Sequence, residues 1–146
     1  MKVLVDTNIV LDVLLKRTPF YQDAFKIFQL ADKGVITGYL SAVSMTDIFY
    51  LLRKVPHSYI EVYNILKELA AIFSVAPVSD VTISGALSLR WKDFEDAVQF
   101  IVASENGAEC IITRNNIDYE SSDIPCMNPT DFISQCIKND ISLIMD

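Results

Sequence analysis

Asp6 closes a short apolar run, Lys2-Val3-Leu4-Val5, and is followed by Thr7-Asn8. That is the strand-to-helix turn at which α/β folds hold their chemistry. Asp47 is expected in the first turn of a helix opened by Ser44-Met45-Thr46. Asp93, Glu95 and Asp96 crowd the start of another helix, and Asp118 follows a later apolar run, Cys110 to Thr113. Carboxylates drawn from distant parts of a chain repel one another unless a cation neutralises them, and hard oxygen ligands suit Mg²⁺ or Mn²⁺. A divalent-cation site accounts for all of them together. Capping accounts for Asp47, Asp93 and Glu95 one at a time, because helix N-termini favour acids. It does not account for Asp6.

The elements that must position these residues alternate. Lys2 to Val5 reads as a strand and Thr7-Asn8 opens a helix through Leu15. A second helix is expected with Pro19 in its first turn, Ala24, Ile27, Phe28 and Ala31 on one face, and Gly34 as its C-terminal cap. Strands are then expected at Val35 to Leu40, Phe73 to Val75, Cys110 to Thr113 and Pro125 to Met127. Between them, capping boxes at Ser44 to Asp47 and Ser58 to Glu61 start two helices separated by Pro56. Ser79-Asp80 begins a helical stretch to Trp91, a further helix runs from about Asp93 to Asn106 before Gly107, and Asn128-Pro129 caps a last one to about Lys138. Continuously apolar strands alternating with helices predict a three-layer α/β/α sandwich around a parallel sheet of four to five strands. Asp6 and Thr113 to Asn115 then fall on its carboxyl edge. The tail, Ile141 to Met145, is apolar enough to pack or to pair.

Composition narrows the class. With 146 residues, 51% of them hydrophobic, one domain over residues 1–146 is expected. No apolar stretch approaches the ~20 residues of a membrane span, and Asp6 arrives too early for a signal-peptide core, so a cytoplasmic protein is expected. Cys110, Cys126 and Cys136 are odd in number and lack C-x-x-C spacing, against a disulfide framework or structural zinc. His57, the only histidine, follows Pro56 in a helix linker, a poor place for an imidazole base. Four glycines without a Gly-rich loop give no support to nucleotide-cofactor binding. A formal charge of −7 opposes nucleic-acid binding through a wide basic face. A cation-filled acidic pocket rimmed by a few basic residues would reverse that field locally.

Four segments in order resemble the PIN-domain nucleases, and within them the toxin-like VapC group. They are Val5-Asp6-Thr7-Asn8-Ile9, Ser41 to Asp47 leading into a helix, Asp93-Phe94-Glu95-Asp96-Ala97 before an apolar helix, and Thr113-Arg114-Asn115 after a strand. The resemblance implies a divalent-metal endoribonuclease that hydrolyses phosphodiester bonds in single-stranded or structured RNA through a metal-activated water. It also implies a homodimer and, for a toxin-type component, an antitoxin protein. Carried over position by position, the catalytic and metal-binding acids fall on Asp6, Asp47 and Asp96, with Asp93 as the near alternative to Asp96. Asp47 stands where the family usually has Glu. Asn115 occupies the fourth acidic position, with Asp118 three residues on as a substitute metal ligand. Thr7 and Thr113 would offer hydroxyls, Asn8 would orient a carboxylate, and Arg114 would contact phosphate, with Arg53, Lys54, Arg90 and Lys92 further out. Trp91 and Tyr119 lie near the acids in sequence and could stack on bases, although burial is the commoner fate of aromatics.

Two rivals remain. Asp47 and Asn115 feed a catalytically weak or inactive PIN-like binding or regulatory module. An aspartate-type phosphotransfer protein would need an acid two residues beyond the first or a later strand-end Lys. Asn8 and Thr113-Arg114 stand at those places.

Overall fold

The central strands of the sheet are buried on both faces, and the edge strands are less covered. In the computed structural model, which describes residues 1–115, 119 and 122–139, β1 (Lys2–Val5) lies between β2 (Thr37–Ser41) and β4 (Cys110–Ile112). With β3 (Ser74–Ala76) beyond β2 and β5 (Cys126–Met127) beyond β4, the order is β3-β2-β1-β4-β5, all parallel. Side chains alternate across this sheet. Val3, Val5, Cys110 and Ile112 face one core, completed by α1 (Thr7–Leu14), α2 (Tyr21–Asp32), α3 (Ala42–Leu52), α4 (Tyr59–Ile72) and α7 (Pro129–Lys138). Leu4 and Ile111 face the other, with α5 (Asp80–Leu89) and α6 (Phe94–Glu105). The result is the expected α/β/α sandwich. No described helix is long and apolar enough to cross a membrane.

The chain winds outward from β1 through β2 to β3, then returns beneath the sheet by α5 and α6 to start β4 on the other side of β1. The winding therefore reverses between β1 and β4, and the crevice at their carboxyl ends is where ligands bind in such sheets. One close approach fixes the sheet against its cover: a Cβ on Gly38 of β2 would lie 2.6 Å from the Phe73 ring.

Local signals place most helix starts. Ser58 accepts the Glu61 N–H, Ser79 and Thr82 form a reciprocal capping box, and Asn128 accepts the Asp131 N–H with Pro129 in the first turn. Gly34 and Gly107 take positive φ, 74° and 68°, just past α2 and α6, the left-handed conformation that ends helices. Strand ends shift by one or two residues from expectation, β2 running Thr37–Ser41 and β3 Ser74–Ala76, and three helices differ in ways that matter more. The α5 helix ends at Leu89 because Arg90 turns left-handed, φ 57°. Pro19 lies in a turn before α2, where the Tyr21 N–H is bonded to the Arg17 carbonyl. Most consequentially, Ser41 rather than Ser44 caps α3, accepting the Ser44 N–H at 3.1 Å, so Asp47 sits in the second turn. Asp118 and the tail Ile141 to Met145 lie outside the described residues.

Candidate active site

Asp6 leaves β1 with extended backbone and its N–H still bonded to the Ile112 carbonyl of β4, 3.0 Å. The next residue of β4's exit completes the grip. Thr113 Oγ1 donates to Asp6 Oδ2 at 2.7 Å and accepts the Asn115 N–H at 3.0 Å. Asp6 is only 3% exposed. Burial raises its pKa above the ordinary 3.8 and the charge of Asp93 adds to this, outweighing the Thr113 hydroxyl and the N–H groups of Thr7 and Asn8.

The other acids arrive on two helices. Asp47 comes from α3, half-buried, and burial raises its pKa. Glu95 comes from the first turn of α6. Burial raises its pKa, and the charges of Asp47, Asp6 and Asp93 push it up further. Asp93 is the cap of α6, its Oδ1 accepting the Asp96 N–H at 3.0 Å. Asp96 is buried, and it acts together with Asp6 on the Tyr119 phenol: burial first, then these two charges, hold that phenol far above its usual range. The acids thus form an outer pair, Asp47 and Glu95, and an inner, buried pair, Asp6 and Asp96.

The outer pair opens onto a cleft of about 240 Å³, lined by Thr7, Asn8 and Leu11 of α1, Asp47, Tyr50 and Leu51 of α3, and Glu95 of α6. A buried polar knot ties the three helices together. Ser44 Oγ bonds Thr7 Oγ1 at 2.7 Å and Ser41 Oγ at 3.1 Å, and accepts Gln99 Nε2 at 2.9 Å. The Thr7 hydroxyl is therefore committed to Ser44, whereas that of Thr113 reaches an acid.

None of Asp6, Asp47 and Glu95 is ion-paired among the described residues. Unpaired carboxylates, of which Asp47 and Asp6 both raise the pKa of Glu95, are a hard-oxygen donor set for Mg²⁺ or Mn²⁺. Their chemistry fits a divalent cation. Among the described residues, however, no three acidic, His or Cys side chains stand close enough to hold one ion. Glu95 was not among the expected ligands. Its signal was present in the segment Asp93-Phe94-Glu95-Asp96, but a helix turns by 100° per residue and only packing decides which neighbour faces Asp47.

Arg114 is engaged elsewhere. Its Nε and NH2 donate to Asp12 Oδ2 and Oδ1 at 2.8 and 3.0 Å, and its guanidinium lies 4.0 Å over the Phe20 ring. Arg17 adds a longer contact to the same carboxylate, 3.5 Å. This cluster borders a second cleft, about 470 Å³, between the turn before α2 and the start of α7. Asp12 was hidden in the apolar run Ile9 to Leu15. Trp91 and Tyr119 pack edge to face at 5.9 Å, Tyr119 being 3% exposed, so these rings belong to the interior.

A doubly wound parallel sheet with acids from three segments at its switch point defines a PIN-type α/β protein. The chain belongs to the PIN domain family, whose pattern it matches over residues 2–117. It is 23% identical over 136 residues to Ribonuclease VapC1 of Aquifex aeolicus (strain VF5), covering 90% of this chain and 92% of that one. Its fold matches a toxin–antitoxin complex from Klebsiella pneumoniae with TM-score 0.64 and 22% identity, covering 87% of this chain and 97% of that chain. It also matches Mycobacterium tuberculosis VapC20, a sarcin–ricin loop cleaving toxin, with TM-score 0.64 and 16% identity over 82% and 94% of the two chains.

Proposed function

We propose that this chain is a divalent-cation-dependent endoribonuclease of the VapC toxin type, hydrolysing phosphodiester bonds in single-stranded or structured RNA. The observation that carries it is that Asp47 and Glu95 line one cleft, with Asp6 near enough behind them for its charge to raise the Glu95 pKa, and with no basic partner for any of the three among the described residues. Asp6, Asp47, Asp96 and Glu95 are the residues that would hold the cation, with Asp93 and Asp118 in reserve. When bound, the cation supplies Lewis acidity at the phosphate and lowers the pKa of water.

The side chains supply position and charge. Thr113 fixes the Asp6 carboxylate, and Ser44 fixes the helices that bear Asp47 and Glu95. The charges of Asp47, Asp6 and Asp93 that help raise the Glu95 pKa are those a bound cation would neutralise. Asn8, at the cleft wall, is positioned to orient substrate or a neighbouring acid. An antitoxin protein partner fits the Klebsiella pneumoniae complex named above, a homodimer is the other assembly proposed, and α4 offers Tyr59, Ile60 and Tyr63 to water as an apolar face for either. The cytoplasm is the assigned compartment.

The test is cleavage of single-stranded RNA by purified protein in Mg²⁺ or Mn²⁺, with EDTA and with Asp6→Asn. Cleavage that needs the cation and Asp6 supports the assignment; cleavage that survives exhaustive chelation overturns it. The absence of any three-acid cage among the described residues favours a second reading, a PIN-like binding module. RNA binding without turnover in either cation would select it.

A further inference from the structure

The acidic cleft has one wall that is not acidic. Tyr50 lines it beside Asp47 and Glu95, is 64% exposed, and makes no ring-to-ring contact among the described residues. Its position is set by α3, since Asp47 lies three residues earlier on the same helix face, about 5–6 Å away between Cβ atoms. One turn later, Lys54 Nζ sits 4.6 Å over the ring. The exposed rings of α4 differ: Tyr63 packs on Phe49 at 5.3 Å and Tyr59 on Tyr63 at 6.4 Å, and neither lines the cleft.

We infer that Tyr50 is a base-stacking residue, which holds an unpaired nucleobase of the substrate beside the carboxylates while Lys54 meets an adjacent phosphate. The inference rests on the ribonuclease assignment and gives its substrate class: the strand must be single at the cut, because a base inside a duplex has both faces covered by its stacked neighbours. An aromatic face with a neighbouring cation is the usual platform for single-stranded nucleic acid, and it is sequence-tolerant because every base has a π-face. In a chain of net charge −7, a local cation beside the ring also supplies attraction that the whole molecule does not.

The test uses the full chain carrying Asp6→Asn, so that RNA is not consumed, and follows binding of a short fluorescein-labelled single-stranded RNA by anisotropy in Mg²⁺. Adding Tyr50→Ala is expected to weaken binding at least about fivefold and Tyr50→Phe to leave it intact, because the ring and not the hydroxyl does the stacking. An RNA whose central nucleotides are abasic should bind equally with and without the Tyr50→Ala substitution. Lys54→Ala should flatten the salt dependence by about 0.7 in log K per log salt. With Asp6 intact, Tyr50→Ala should raise KM and leave kcat nearly unchanged. Phe25→Ala, at an exposed ring of α2 that does not line the cleft, should alter none of these. If the chain with Tyr50 binds RNA and the Tyr50→Ala variant binds it equally well, the stacking role is wrong while the nuclease assignment stands. If the chain with both Asp6 and Tyr50 intact neither binds nor cuts RNA, both fall. If Tyr50→Ala lowers the mass by light scattering and leaves RNA binding unchanged, the ring belongs to a protein interface and the inference is overturned.

Discussion

Two aspartates at opposite ends of one short helix meet opposite fates. Asp12, fully buried, is met by Arg114 through two short hydrogen bonds and by Arg17 at 3.5 Å. Asp6, nearly as buried, receives the Thr113 hydroxyl and the N–H groups of Thr7 and Asn8 but no basic side chain among the described residues, and burial leaves its pKa raised. A buried carboxylate is costly unless paired. The first cluster is complete within the chain, whereas in the second the proposed cation would be the partner. That difference, and not the presence of an acid, is what separates an aspartate that holds the fold from one that is free to work.

The sharpest way to break the comparison is to neutralise each acid. Asp6→Asn should cut RNA cleavage about a thousandfold, the loss of several kcal/mol of cation-dependent stabilisation. It should leave the thermal midpoint in EDTA unchanged or higher, since it relieves the repulsion felt by Glu95. A cleavage rate within tenfold of the unaltered chain would end the distinction. Arg114→Ala should do the reverse. It strands the Asp12 charge and should cost about 3 kcal/mol in denaturant unfolding, and any remaining activity should scale with the folded fraction. A variant as stable as the parent would show that Asp12 does not need its partner.

Smaller changes sharpen it. Thr113→Val removes the hydroxyl that orients Asp6 and should reduce cleavage about tenfold, with a rightward shift in the Mg²⁺ titration that Arg114→Lys does not share. The smallest effect is on pH dependence. Asp6, Asp47 and Glu95 have folded pKa values above the ordinary 3.8, 3.8 and 4.5. The folded state therefore binds their protons more tightly than the unfolded chain does. Their contribution to stability is present below the ordinary values and is lost as pH rises through the raised ones. In EDTA, thermal scans should show a larger gain on acidification for the parent than for Asp6→Asn, and Mg²⁺ should remove the difference at neutral pH.

The sequence displayed the alternation of strands and helices plainly, because buried parallel strands and capped helices each leave local signatures. Asp6 was legible for the same reason, as an acid ending an apolar strand. What it hid were choices made by distant partners. Ser41 and Ser44 are both good caps three residues apart; Ser44 loses that role while its hydroxyl serves Thr7 and Gln99, 37 and 55 residues away. Glu95 gained its place because Ala97, Val98 and Val102 turn toward the core and fix the rotation of α6. Arg114 was expected at phosphate because nothing local reveals Asp12, 102 residues earlier.

The hydrogen bond from Thr113 to Asp6 joins residues 107 apart in sequence. During synthesis, Asp6, Asp47 and Glu95 all leave the ribosome before the strand that closes the crevice exists. In a nascent chain ending short of Cys110, the first acid has neither its neighbouring strand nor its hydroxyl. Contacts of such long span also form late and slowly in folding. Under the proposed nuclease function, the order of synthesis means that Asp6 gains the hydroxyl that orients it only once residue 113 has been made.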